Sequence, residues 1–225
     1  MRIIGGTYKG RLIRPPGNLP VRPTTDLAKE SLFNILNNRI DFEGLAVLDL
    51  FAGTGSISYE FASRGAEEVI SVDMNKNCID FMKKTSQFFD LKNMKVIRAD
   101  AFKFIQNSYL YWSFDDLPAS PTSKQQRSQN ANQLRTSNTE HSGLHKAANL
   151  NCRSIKYDIV FADPPYELDE ASELPMLISA SEILKPEAIF ILEHSSKFDF
   201  SKNDLFIERR NYGKVNFSFF GKNKE

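Results

Sequence analysis

Short apolar runs alternate with segments of helical spacing along most of this chain. Ala46-Val-Leu-Asp49-Leu, Glu68-Val-Ile-Ser-Val72, Lys95-Val-Ile-Arg-Ala99, Tyr157-Asp-Ile-Val-Phe-Ala162 and Ala188-Ile-Phe-Ile-Leu192 read as buried strands. Between them, Ile57, Phe61 and Ala62 share one helical face with Gly65 as C-terminal cap, Cys78, Ile79 and Met82 share another, and Leu174 to Leu184 reads as a helix. Phe206-Ile-Glu-Arg-Arg210 and Val215-Asn-Phe-Ser-Phe219, joined through Tyr212-Gly213-Lys214, form a hairpin pattern. Seven strands alternating with helices predict an α/β, doubly wound, mostly parallel sheet with an antiparallel end and right-handed crossovers.

Two segments fall outside that rhythm. Residues 1–40 combine Gly5, Gly6, Gly10 and Gly17 with Pro15, Pro16, Pro20 and Pro23, then a helix from about Asp26 whose apolar face is Leu32, Ile35, Leu36 and Ile40. We read this as a hairpin-like arm and helix (1–40) preceding the main domain (41–225). From Ala119 to Asn151, 17 of 33 residues are Ser, Thr, Asn or Gln, too polar to offset chain entropy by burial. An insertion without stable structure is expected at about 113–155. His141 and His145 inside it have helical i, i+4 spacing, but with only Glu140 beside them they read as exposed bystanders rather than metal ligands.

At 225 residues and 41% hydrophobic, the chain can bury one sizeable core. Cys78 and Cys152 are too few for a disulfide framework, and Cys78 reads as a reduced core thiol. With no signal-peptide pattern and no apolar run near 18 residues, a soluble cytoplasmic protein without membrane contact is expected. The net charge of +1 is uninformative, but its distribution is not. Residues 1–40 hold seven basic side chains (Arg2, Lys9, Arg11, Arg14, Arg22, Lys29, Arg39) against Asp26 and Glu30. Such a cluster suits a phosphate backbone; the alternative is a solvated basic extension packed on the rest of the protein.

The candidate chemistry lies at strand ends. Asp49-Leu-Phe-Ala-Gly53-Thr-Gly55 is a strand running into a glycine turn, and Asp73, about 20 residues on, ends the next strand where an acid is expected to hold ribose hydroxyls. Asp100 ends a third strand; the alternative for both acids is helix N-capping. Ser58 stands where a dinucleotide fingerprint wants its third glycine, and no Lys follows the loop as in a P-loop. A ligand with a ribose and a base but no pyrophosphate fits, and S-adenosylmethionine is one. Asp163-Pro164-Pro165-Tyr166 ends the fourth strand with a carboxylate, proline-stiffened carbonyls and an aromatic face, the parts needed to hold a nucleobase amine.

The glycine turn followed by Asp-Pro-Pro-Tyr resembles the class I S-adenosylmethionine-dependent methyltransferases that modify exocyclic amines. Arg2-Ile-Ile-Gly5-Gly6-Thr-Tyr-Lys-Gly10-Arg11, Arg22-Pro-Thr-Thr-Asp26 and Lys29-Glu30-Ser-Leu-Phe33-Asn34-Ile-Leu36 narrow the resemblance to the bacterial 16S rRNA guanine-N2 methyltransferases. It covers nearly the whole chain apart from the insertion. One departure is Lys29, where Arg is expected; charge is kept but bidentate phosphate recognition is not.

The resemblance implies a Rossmann-like strand order 3-2-1-4-5-7-6. It puts the cofactor on Asp49, Phe51, Ala52, Gly53, Thr54, Gly55, Asp73, Met74, Asp100, Ala101 and Asp163, and the base on Asp163, Pro164, Pro165 and Tyr166. RNA would meet Arg2, Lys9, Arg11, Arg22, Thr24, Thr25 and Lys29. The substrate implied is 16S rRNA or a small-subunit particle, the enzyme a monomer that needs no metal because its leaving group is a neutral thioether. His194, just past a strand, reads as a structural histidine. A DNA adenine-N6 methyltransferase, a silent RNA-binding assembly factor and a nicotinamide dehydrogenase are the rival readings, the last opposed by the missing third glycine and the amine-holding turn. The first lacks a second folded domain for reading a groove, and the second would not need Asp49, Gly53, Gly55, Asp163 and Tyr166 together.

Overall fold

The protein was analysed as a computed structural model, which describes residues 1–17, 19, 26–106 and 156–221. The insertion, Cys152, Arg22, Thr24 and Thr25 lie outside the described residues.

Helix α1 (Asp26–Asn37) leads to strand β1 (Ala46–Leu50), followed by α2 (Ser56–Ser63), β2 (Glu68–Asp73), α3 (Lys76–Phe88), β3 (Met94–Arg98) and α4 (Ala101–Gln106). Strand β4 (Tyr157–Ala162), a 3₁₀ turn (Asp169–Glu173), α5 (Leu174–Ala180), β5 (Leu184–His194), β6 (Phe206–Tyr212) and β7 (Val215–Phe220) complete the chain. The seven strands form one sheet in the order β3-β2-β1-β4-β5-β7-β6, as the resemblance implied. β1 to β5 run parallel, and β7 is antiparallel to both β5 and β6.

Differences from the expected elements have local causes. The helix expected to reach Leu184 stops at Ala180, where Glu182 turns through a positive φ of 55°. Strand β5 begins earlier than its apolar run because Leu184 pairs with Tyr157 before a bulge that contains Pro186 and Glu187. Proline cannot donate to a sheet ladder and is tolerated at such an irregularity. Asn75, rather than Asp73, caps α3, its Oδ1 accepting from the Asn77 and Cys78 amides at 2.9 and 3.3 Å. Cys78 is buried, and burial pushes its thiol up to about 11.

The first residues are woven into this core. Arg2 and Leu12 form an antiparallel bridge, and Ile3 and Ile13 are buried with Phe33, Leu36 and Phe61. Glu60 of α2, fully buried, organises the contact. Its Oε1 accepts from the Ile4 amide at 2.6 Å and its Oε2 from the Gly5 amide at 3.2 Å. Lys29 Nζ lies 3.3 Å and Arg64 Nε 3.5 Å from the same carboxylate. Gly6 has φ +72°, and a Cβ there would stand 1.8 Å from the Ser63 carbonyl oxygen, so only glycine permits this approach.

Candidate active site

The carboxyl ends of the parallel strands open into a cleft of about 990 Å³. Its floor is the turn after β1. Phe51 sits there at φ 59°, a conformation uncommon outside glycine, and Gly53 follows at φ 54°. The Ala52 amide donates to Val72 O at 3.0 Å, and the Gly53 amide donates to Asp73 Oδ2 at 2.8 Å. The other oxygen of Asp73 accepts from the Asn75 amide at 2.7 Å. One carboxylate thus holds the glycine turn against the start of α3. Gly55 packs beneath the turn, where a Cβ would meet Met82 Sδ and Tyr59 Cζ at 3.0 Å, so it does not line the cleft.

Every other residue of the expected cofactor set lines this one cleft: Asp49, Phe51, Ala52, Gly53, Thr54, Asp73, Met74, Asp100, Ala101 and Asp163. Asp100 also acts as a helix cap, its Oδ1 accepting from the Lys103 amide at 2.9 Å, which leaves its other oxygen for a second role. The Phe51 and Phe102 rings meet edge to face at 5.9 Å between centroids.

Asp49 ends a buried chain of hydroxyls. Ser71 Oγ donates to Ser58 Oγ at 2.7 Å, and Ser58 Oγ donates to Asp49 Oδ2. The residue at the missing third glycine therefore serves this network. Burial pushes the Asp49 carboxyl from 3.8 up to about 7; donation from Ser58 opposes that shift and the charge of Asp73 adds to it. The folded protein then holds a proton that the unfolded chain has already released. Stability accordingly falls as pH rises from about 4 to about 7, by at most about 1.4 kcal/mol per unit, and levels off above. Urea unfolding of the wild type and Asp49→Asn should therefore diverge progressively across that window, the variant lacking the slope. Parallel profiles would show that Asp49 is ionised throughout.

Across the cleft, Asp163, Pro164, Pro165 and Tyr166 share the same lining. The Asp163 amide donates to Leu50 O at 3.3 Å, tying this turn to the end of β1, and the Leu168 amide closes it on Pro165 O at 2.9 Å. The Tyr166 hydroxyl donates to Glu193 Oε1 at 3.4 Å. Glu193, Phe102, Tyr212 and Lys214 also line the cleft and were not among the expected site residues. For Glu193 the signal was present, because it too is an acid at a strand's carboxyl end. Among the described residues, eight acidic residues (Asp49, Asp73, Asp100, Asp163, Glu167, Glu170, Glu173, Glu193) line the cleft against one cationic residue, Lys214. That balance favours a cationic ligand and disfavours a pyrophosphate.

His194 is buried, with Nδ1 2.7 Å from Ser195 O and Nε2 2.8 Å from Ser218 Oγ; both ring nitrogens are occupied structurally. Arg2, Lys9 and Arg11 are exposed on the arm. Lys29 is corrected. It is 1% exposed, donates to Arg2 O at 2.6 Å and pairs with Glu60, so its ammonium is spent inside the protein and is not presented to RNA. Among the described residues no helix is long and apolar enough to cross a membrane.

Comparison with known proteins agrees with this architecture. The family model described as "Conserved hypothetical protein 95" matches residues 1–115 and 117–221. An uncharacterized methylase of Rickettsia prowazekii is 28% identical over 235 residues, covering 95% of this chain and 94% of its own. The ribosomal RNA small subunit methyltransferase D of Haemophilus influenzae is 26% identical over 195 residues, covering 86% of this chain and 78% of its own. Among solved structures, yhhF of Escherichia coli superposes with a TM-score of 0.69 at 22% identity, covering 100% of this chain and 99% of that one. An S-adenosylmethionine-dependent methyltransferase of Agrobacterium tumefaciens gives 0.52 at 22% identity, covering 87% and 61%. At these identities the structures show the fold, which is Rossmann-like.

Proposed function

Because the chain belongs to the Conserved hypothetical protein 95 family, we propose that it methylates the exocyclic N2 amine of a guanine in 16S ribosomal RNA, using S-adenosylmethionine. The observation that carries this reading is the shared cleft: the glycine turn and the Asp163–Tyr166 turn face one cavity. The residues fit the cofactor, since the cleft's acids suit its sulfonium and ammonium charges and its volume is of the size that holds such ligands, roughly 300–1,000 Å³. Asp73 and Asp100 would hold the ribose side, and Phe51, Met74, Ala101 and Phe102 supply apolar walls for the adenine.

When bound, S-adenosylmethionine supplies an electrophilic methyl group. The chain's own residues do the rest. A guanine amine is a poor nucleophile because its lone pair is delocalised into the ring. Asp163 Oδ and the Pro164 carbonyl accept its two N–H bonds and concentrate electron density on nitrogen as charge develops. Tyr166, its hydroxyl tethered to Glu193, offers a ring for the extruded base to stack on. Arg2, Lys9 and Arg11 contact phosphate, with Arg22, Thr24 and Thr25 extending that contact. The protein acts as a cytoplasmic monomer without a metal.

Transfer of labelled methyl to small-subunit particles, naked 16S rRNA and duplex DNA tests this. Label is expected in RNA, recovered as N2-methylguanosine by mass spectrometry. Label confined to DNA as N6-methyladenine would establish the rival reading. No calorimetric binding of S-adenosylmethionine would favour an assembly factor.

A further inference from the structure

We propose that Glu193 determines base specificity by accepting the N1–H of the target guanine while Asp163 holds the neighbouring N2 amine. The assignment rests on the methyltransferase reading above and adds a residue that this reading leaves without a role toward the base. Strands β4 and β5 pair in parallel with Ala162 opposite Leu192, so Asp163 and Glu193 leave neighbouring strands at the same level. Adjacent strands lie about 4.8 Å apart, close enough for two side chains at one level to address adjacent donors on a single ring. Both residues line the cleft, the Glu193 carboxylate meets the hydroxyl of Tyr166, which lines it too, and at 3% exposure Glu193 is largely removed from bulk water.

The chemistry of the base edge selects among purines. Guanine presents N1–H and the N2 amine side by side, both donors. Adenine presents a bare N1 acceptor, which a carboxylate repels. Glu193 accepts from the Tyr166 hydroxyl through Oε1, and a carboxylate's two oxygens provide about four acceptor positions. It can therefore hold the stacking ring and the base together. A buried acceptor that meets no donor carries a desolvation cost, so discrimination against a ring lacking N1–H is expected to be large.

The rival explanation is that Glu193 merely positions Tyr166. 2-Aminopurine separates the two, because it keeps the 2-amino group but has an unprotonated N1. Small-subunit particles would be assembled on 16S rRNA ligated with either guanine or 2-aminopurine at the target position, located first from the wild-type product. Wild-type kcat/KM is expected to favour guanine by at least roughly 100-fold. Glu193→Gln, whose amide can donate to a bare N1, should cut that preference by about tenfold or more. A merely positioning role would slow both substrates equally and leave the ratio unchanged, which would overturn the proposal. Wild-type enzyme that accepts both bases within about threefold would overturn it too, whether or not the variant folds. Absence of transfer to any guanine by the wild type would instead remove the methyltransferase reading, and the assignment with it.

Discussion

Asp163→Ala should lower turnover by roughly 100- to 1,000-fold while S-adenosylmethionine binds within a fewfold of wild type, because a preorganised group facing developing charge contributes about that much. The effect is large for a geometric reason. Asp163 is fixed at both ends, by its own amide on Leu50 O and by the proline-locked turn that follows it. The main chain that carries its carboxylate is therefore held in place as charge forms on the amine. Single-turnover transfer with cofactor saturating, set beside calorimetric affinity, separates the two quantities. Turnover within about threefold of wild type would remove Asp163 from the reacting centre.

Glu60→Ala should destabilise the protein by about 3–5 kcal/mol, the usual consequence of breaking a buried ion pair by removing one partner. Four groups converge on this carboxylate: the Ile4 and Gly5 amides, Lys29 and Arg64. Without it, Lys29 remains as a cation at 1% exposure with Arg2 O as its close acceptor and, among the described residues, only the exposed Asp26 carboxylate, 3.9 Å away, as a counter-charge. Arg64, already lowered by burial, would lose the charge that opposes that shift. Two amides of the arm would also lose their acceptors, so hydrogen exchange at Ile4 and Gly5 should quicken. Lys29→Met is the informative partner variant, since it leaves Glu60 the guanidinium and both amides, and its cost should be smaller. Equilibrium urea unfolding reads both. A Glu60→Ala cost below about 1 kcal/mol would mean that water reaches the site.

These two residues also mark how far the sequence could be read. Asp163 was visible because an apolar strand of six residues ends on it and two prolines follow; strand, stop and chemistry are all local. The order of the sheet, and with it the meeting of the two turns, came from the family resemblance rather than from this punctuation. Glu60 and Lys29 were not legible in this way. Each lies within a helix, and nothing in the spacing of either tells that a third segment, the first few residues, lies across both. Lys29 looked like one more member of a basic cluster because charge in a sequence carries no direction. The Ser58–Asp49 contact was hidden for a related reason: Ser58 registered only as an absent glycine, whereas folded it donates to a buried acid. Short-range signals place elements, but partners brought together by folding decide what a charged or polar side chain does.

The carboxylate of Asp73 leaves an experimental trap. Both of its oxygens already restrain main-chain amides, from Gly53 on one side and Asn75 on the other. Any substitution there reshapes the walls as well as deleting a contact, so weakened ligand uptake in such a variant cannot be credited to the ribose. Deoxygenated analogues of the ligand, offered to an unaltered protein, are the cleaner probe.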